Sequence, residues 1–307
     1  PGEPSWPSPW GPGRPGWHIE CSAMSMEAIG ETLDIHGGGL DLVFPHHENE
    51  VAQSEAHSHN TYANYWMHNG MLTMSSGQKM GKSLGNVWNV QNALEDFPAE
   101  CLRLYYLQSL YRSPLPWGDE ALPDALGSLC RLYEAREVAE AMNGQEDAKQ
   151  VAKDLGEDAE RVLALSASFE ENFIGSLDED FNTAKAMASL FELVRAVNRF
   201  ANHKKAKKRG GPVVQGALQA FHLVSEALGI LAMNVEDFQE EVKDKRCKAM
   251  GISRDEIEAK IQARTTARAN KDWAASDVLR DELDAAGVVL MDSPTGTTWR
   301  LRVSETD

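Results

Sequence analysis

Cys21, His36, His46, His47 and Glu50 fall within thirty positions of one another, with a glycine-rich run, Asp34–Leu42, between the ends of the set. Thiolate, imidazole and carboxylate together form a donor set suited to a tetrahedral Zn²⁺ ion. His46 and Glu50 are four apart, so on a helix they lie one above the other on the same face, with His47 turned about 100° away. HHENE is not the metalloprotease pattern, which needs a second histidine where Asn or Glu stands here. The plainer reading of the same residues is a set of polar side chains at a helix start plus a buried cysteine. Three protein ligands also leave one coordination position open.

A second group with chemical potential is GQKMGKSLGN, Gly77 to Asn86. Lys79 and Lys82, three apart in a Gly/Ser loop, can embrace a polyphosphate and neutralise charge that develops along it, while the loop offers backbone N–H groups. The alternative is a solvated basic turn.

The elements that must position these residues read as follows. The opening PGEPSWPSPWGPGRPG is turn and loop, because proline and glycine at that density forbid regular structure. WHIEC is expected as a short strand ending at Cys21, SAMSMEAIG as a short helix closed by Gly30, and LDIHGGGLDLVF as a second strand leading into a glycine loop. PHHENEVAQSEAHS reads as a helix with Pro45 at its first position, and YWMHNGMLTM returns to strand. That alternation predicts a parallel α/β sheet with too few strands to be complete.

From about Asp119 the pattern changes. ALPDALGSLCRLYEAREVAEAM, ERVLALSASFEENFIGSL, NTAKAMASLFELVRAVNRFAN and VVQGALQAFHLVSEALGIL carry apolar residues three and four apart, which predicts a bundle of four amphipathic helices. HKKAKKRGG at 203–211 reads as a basic loop and the charged stretch near 236–247 as a linker. Residues 253–287 read as a helical hairpin with a serine cap, and VVLMDSPTGTTWRLRV as a β-hairpin turned at Pro294–Gly296. The expected organisation is therefore an α/β domain over 1–118, a helical bundle over 119–235 and a small α+β domain over 245–307.

The 307 residues suffice for two or three domains. A net charge of −17 argues against a chain that coats nucleic acid generally, but permits local basic patches. The four cysteines are scattered without framework spacing, so a reduced, cytoplasmic protein is expected. No apolar run reaches membrane-spanning length and no signal peptide is seen, so no membrane role is expected. The first residue is proline, inside a Trp/Pro/Gly-rich stretch, as in a piece of a longer protein.

SPWGPGRPGWHIECSAMS, DIHGGGLDLVFPHHENEVAQSEA, YWMHNG, KMGKSLGN, DFNTAKA and the terminal DWAASDVLRDEL…GTTWR together resemble the cysteinyl-tRNA synthetases, class I enzymes with a Rossmann-type catalytic domain. The resemblance covers essentially the whole chain. It implies ATP-dependent activation of L-cysteine, with Mg²⁺ accompanying ATP, and transfer to cysteine tRNA. It implies that Cys21, His46 and Glu50 are three of four zinc ligands, and that the metal binds the substrate thiolate. Trp17, His36, Gly39 and Asp41 match positions around the amino acid and adenylate. Lys79 and Lys82 match the two lysines of the KMSKS loop, with Lys82 favoured for contact with the reacting phosphates. The bundle would brace the tRNA, and Trp273, Trp299 and Arg300 would contribute to anticodon preference.

Two departures stand out. Gly81 occupies the place of a serine in the lysine loop, and the chain has neither a HIGH sequence nor the cysteine that precedes it. Those features belong to the family's N-terminal half, which is expected as the missing partner of this chain. Two other readings remain at this stage: a mycothiol-pathway cysteine ligase, which lacks the terminal extension, and a non-catalytic tRNA-binding fragment.

Overall fold

The computed structural model describes residue 2 and residues 4–74, 89–293 and 296–302. It divides into two compact units, one comprising the chain to residue 79 with 111–116, the other 80–110 with 117–307.

In the first unit the proline-rich opening closes on itself through paired backbone bonds between Trp6 and Gly13. Helix α1 (Trp17–Ala28) follows, so WHIEC is the first turn of a helix and not a strand. His18, Cys21, Ser22 and Ser25, spaced three and four apart, are among its shielded positions, with Glu20 and Met26 half-buried as well. That is a helical period carried by polar side chains, which a search for apolar periodicity does not register. Strands β1 (Leu33–Gly39) and β2 (Ala63–Asn69) pair in parallel, with Leu33 opposite Ala63 and Gly39 opposite Asn69. Helix α2 (Glu48–Ser58) joins them, giving the expected strand–helix–strand unit. Between β1 and α2 the chain makes a short turn at Leu40–Leu42 and a wide helical turn at Val43–His47. Phe44 is extended there (φ −134°, ψ 133°) and the Phe44–Pro45 bond is cis. The helix therefore begins at Glu48 and not at Pro45. A short pair, β3 (Leu72–Met74) with β4 (Leu115–Trp117), ends the strands of this part of the chain.

The second unit is helical. After α3 (Val90–Asp96) and α4 (Ala99–Leu107) come α5 (Ala121–Glu140), α6 (Ala148–Leu155), α7 (Glu157–Asp178), α8 (Thr183–Ala201), the single turn α9 (Ala206–Arg209) and α10 (Gly211–Leu228). The four predicted amphipathic helices are α5, α7, α8 and α10. They bury Leu126, Leu129 and Leu132, then Phe169 and Phe173, then Leu190, Val197 and Phe200, then Val214, Phe221 and Val224. Residues 236–247 are not a linker: α11 (Val235–Met250) spans them, capped by the Asn234 side chain and burying Val235, Phe238 and Val242. Its charged residues clothe a helix that has a narrow apolar stripe.

The terminal helical hairpin is present as α12 (Arg254–Ala269) and α13 (Trp273–Ala285), with Ser253 accepting from the Glu256 N–H as the expected cap. Strands β5 (Val288–Ser293) and β6 (Gly296–Leu301) pair antiparallel. Ile257, Ile261, Leu283, Val288, Trp299 and Leu301 share a small core with Cys247 of α11. No described helix is long and apolar enough to cross a membrane.

Candidate metal centre

Three elements of the first unit meet at Glu50. Cys21 comes from α1, His46 from the wide turn before α2, and Glu50 from the first turn of α2. Their donor atoms all lie within 4.8 Å of one another. His36, from the middle of β1, and His47 form a second such triplet on the same carboxylate. Glu50 is 1% exposed. Its Oε1 lies 2.7 Å from His46 Nε2 and its Oε2 2.9 Å from His36 Nε2. Neither oxygen has an aligned hydrogen bond. A buried carboxylate normally gathers well-directed donors, since an unsatisfied charge in a low-dielectric interior is costly. Nitrogens and oxygens this close but out of line fit groups that converge on a common third partner. The donor set Cys/His/Glu is suited to zinc, and Cys21, His46 and Glu50 fit it on that ground.

The electrostatics of the thiol fit the same picture. Burial, then the neighbouring Glu50 carboxylate, push the Cys21 thiol above its ordinary value. A cation would reverse that balance, because a coordinating thiol is deprotonated outright.

Histidines surround the ligand group. His18 Nδ1 lies 2.7 Å from His46 Nδ1, so one ring must donate and the other accept, which fixes the orientation of His46. His47 Nδ1 lies 2.8 Å from His68 Nε2 of β2. Burial, then His36, His68 and His46, push His47 down to about 4, so it is neutral at physiological pH. Gly38 is required by this packing: a Cβ there would stand 2.8 Å from the His47 ring. Polar bonds hold the scaffold together. Ser22 Oγ donates to Gln53, and Ser25 Oγ and the Tyr62 hydroxyl share a 2.9 Å bond, tying α1 to α2 and to the residue that leads into β2.

Of the residues the sequence nominated, Cys21, His36, His46 and Glu50 come together. Trp17 stands beside them: its ring centroid is 4.3 Å from that of His46, and the indole is largely exposed. Gly39 lies at the end of β1, where a Cβ would meet the Asp41 carboxylate at 2.5 Å. Asp41 is itself exposed, in the turn after that strand. Lys79, Gly81 and Lys82 lie outside the described residues. His18 and His68 were missed, and His47, which helical spacing turns away from His46, joins His36 and Glu50 in the second triplet. For His18 the signal was its i, i+3 relation to Cys21, visible once Trp17–Glu20 is read as helix. Trp299 is a correction: it is 4% exposed in the terminal core and its Nε1 donates to Glu258 at 2.6 Å, so its ring is unavailable to a nucleobase. Trp273 is well exposed.

A family model described as the tRNA synthetases class I (C) catalytic domain matches residues 1–127. A DALR domain matches 172–232, and a cysteinyl-tRNA ligase anticodon binding domain matches 254–300. The chain is 45% identical over 303 residues to the cysteine–tRNA ligase of Geobacter metallireducens, covering 98% of this chain and 61% of that protein. It is 41% identical over 305 residues to that of Thermodesulfovibrio yellowstonii, covering 99% and 61%. The chain thus spans about three-fifths of the length of these relatives. Among solved structures, Mycobacterium tuberculosis methionyl-tRNA synthetase bound by methionyl-adenylate aligns with a TM-score of 0.52 at 16% identity, over 69% of this chain and 45% of that one. The Agrobacterium radiobacter K84 LeuRS in its complex with tRNA and LeuAMS aligns at 0.50 and 18%, over 68% and 27%. At those identities the likeness is one of fold: a class I synthetase α/β unit followed by helical domains.

Proposed function

We propose, since this chain belongs to the cysteinyl-tRNA synthetase family, that it is the part of a cysteine–tRNA ligase that selects cysteine by its sulfur and carries the tRNA-facing domains. The observation that carries this reading is the convergence of Cys21, His46 and Glu50, with both buried Glu50 oxygens close to imidazole nitrogens yet unaligned. Those three residues would hold Zn²⁺. Once bound, the ion supplies a soft Lewis acid that prefers the thiolate of cysteine to the hydroxyl of serine, which gives selection without an editing step.

The chain's own residues do the rest of the positioning. The exposed Trp17 indole beside His46 offers a wall for the substrate side chain, and Asp41 a carboxylate for an ammonium or a ribose hydroxyl. His36, lying 2.9 Å from Glu50, keeps the carboxylate in place. Gly39, bare of a side chain, leaves room at the end of β1 for the Asp41 carboxylate, which an adenylate would meet there. Lys79 and Lys82 would neutralise the ATP phosphates, with Mg²⁺ accompanying the nucleotide. In the whole protein, the other wall of the ATP site would come from the length of the relatives that this chain does not span. The three-domain division at 1–118, 119–235 and 245–307 and a cytoplasmic location belong to the same proposal.

The test is metal analysis after dialysis against a mild chelator, followed by titration with cysteine and with serine. One zinc per chain, lost in Cys21→Ala, and binding of cysteine but not serine are expected. Stoichiometric zinc surviving Cys21→Ala would sink the assignment.

A further inference from the structure

The turn between α8 and α10 carries HKKAKKR, residues 203–209, five of the chain's thirty Lys and Arg residues with no acid among them, in a chain of net charge −17. Its backbone is firmly anchored. Ala206 is fully buried. The Asn143 N–H donates to the Lys207 carbonyl, and the Gly211 N–H donates back to the Asn143 carbonyl. Gly144, at φ +130°, lets the two segments touch: a Cβ there would lie 2.9 Å from the Arg209 carbonyl oxygen.

The five cations divide by role. Arg209 turns to the protein, donating through Nε and Nη2 to both Glu146 oxygens at 2.7 and 2.6 Å, and to Asp154 at 2.8 Å. Those hydrogen bonds hold both carboxyls below the ordinary range, with Lys205 adding a smaller pull on Asp154. The local acids are thus engaged. Lys204, Lys207 and Lys208 are exposed and enter no ion pair among the described residues; Lys205 is exposed too, but its charge is near enough to Asp154 to act on that carboxyl. Three like charges crowded on an anchored turn repel one another, and no local acid relieves them. An external polyanion would.

We propose that Lys204, Lys207 and Lys208 form a phosphate-contact site for the RNA backbone, setting the tRNA against this end of the bundle without reading its sequence. The proposal rests on the tRNA-ligase reading above, which supplies an RNA substrate. A lysine ammonium is a point charge on a flexible stem, suited to phosphate oxygens and indifferent to base identity. On a chain that is acidic overall, one cationic turn also orients the incoming polyanion, because repulsion elsewhere leaves few productive approaches.

The test uses the 307-residue chain with cysteine tRNA, a non-cognate tRNA and anionic phosphatidylserine vesicles, across a salt series. For K204Q/K207Q/K208Q we expect the slope of log K against log salt to flatten by about two to three. Affinity should fall on the order of ten- to a hundredfold near 0.1 M salt, by the same factor for both tRNAs. Zinc content and thermal midpoint should stay unchanged, because none of the three lysines makes an ion pair there. Unaltered tRNA affinity and slope would overturn the proposal, as would a loss confined to the vesicles, which would assign the turn to a membrane surface. A wild-type chain that binds zinc and cysteine but neither tRNA would overturn the lysine site while leaving the amino-acid half of the functional reading intact. Failure of zinc and cysteine binding, with the tRNA slope behaving as described, would do the reverse.

Discussion

Glu50 in the first unit and Glu100 in the second are both buried carboxylates, and their surroundings differ in one decisive respect. Glu100, on α4, accepts from the Tyr133 hydroxyl at 3.1 and 3.0 Å, from the Leu231 N–H at 2.8 Å and from the Ala232 N–H at 3.0 Å. Tyr133 in turn accepts from the Met233 N–H and stacks on Phe238, with ring centroids 3.7 Å apart. Burial, then the Glu100 charge, push the Tyr133 hydroxyl far above its ordinary range, so it stays a donor. Glu50 has equally close neighbours and no aligned donor. A satisfied buried carboxylate stitches elements together, here α4, α5 and the turn before α11. An unsatisfied one carries a desolvation cost that a bound cation would relieve.

That contrast is testable, and its largest consequence falls on Glu100. Glu100→Ala strands two backbone N–H groups and a tyrosine hydroxyl in the interior, each worth roughly 1–3 kcal/mol when left without a partner. A loss of about 3–5 kcal/mol in urea unfolding is expected. Glu100→Gln should cost less, roughly 1–2 kcal/mol, because the amide keeps one acceptor but turns a donor toward donors. If both variants unfolded like wild type, the stitching role of Glu100 would be refuted.

The same contrast explains what could be read in advance. The bundle was legible because its helices bury Leu129, Phe173, Leu190 and Val224 at helical spacing, and apolar period is the strongest local signal. Helix α1 was read as strand over its first turn because its shielded positions are mostly polar: His18, Glu20, Cys21, Ser22 and Ser25, with Met26 the apolar exception. A face built for chemistry carries the period without the hydrophobicity. Helix α11 was hidden by its charges, with the stripe Val235, Phe238 and Val242 too thin to stand out. Within the site, the approach of His46 to Glu50 was legible from their four-residue spacing, although His46 sits in the wide turn and not on α2. The approach of His36, His47 and His68 depends on the β1–β2 pairing and the wide turn at Val43–His47, which no local spacing encodes. Trp299 misled for the opposite reason. An indole suits a base or a core equally well, and only the Glu258 partner shows which.

Asp292 supplies an intermediate case, a carboxylate that is satisfied but near the surface. It pairs bidentately with the buried Arg264 at 2.9 and 2.8 Å and also accepts from Arg268 and Thr297. The Arg264 hydrogen bonds, foremost, hold its carboxyl well below the usual range. A depressed folded-state value means that the contribution is fully present above the unfolded carboxylate value of about 3.9 and is lost as pH falls further. Asp292→Asn should therefore destabilise the terminal hairpin by about 1 kcal/mol at pH 7, since the aspartate is half exposed and solvent screens it. Wild type and variant should converge in stability below about pH 4. Parallel acid titrations, with a gap between variant and wild type that does not narrow below about pH 4, would place the stabilisation elsewhere.

The smallest expected change in stability is the sharpest test of the comparison. Glu50→Gln keeps the shape of the side chain and removes a charge that is 1% exposed and has no aligned donor. Removing the charge relieves the cost of burying it, and with no donor aligned on the carboxylate little hydrogen bonding is lost with it. Metal-free Glu50→Gln should thus unfold within about 1 kcal/mol of wild type, on either side. Its zinc affinity should meanwhile fall by roughly a hundredfold or more, because a neutral amide oxygen is a poor substitute for a charged ligand and even outer partners of a metal site are worth ten- to a hundredfold. The two readouts together are decisive: unfolding of the metal-free protein reports structure, and zinc titration reports the ligand. If metal-free Glu50→Gln lost as much stability as Glu100→Ala, the two glutamates would be doing the same structural job, and the reading of the first unit as a metal centre would fall.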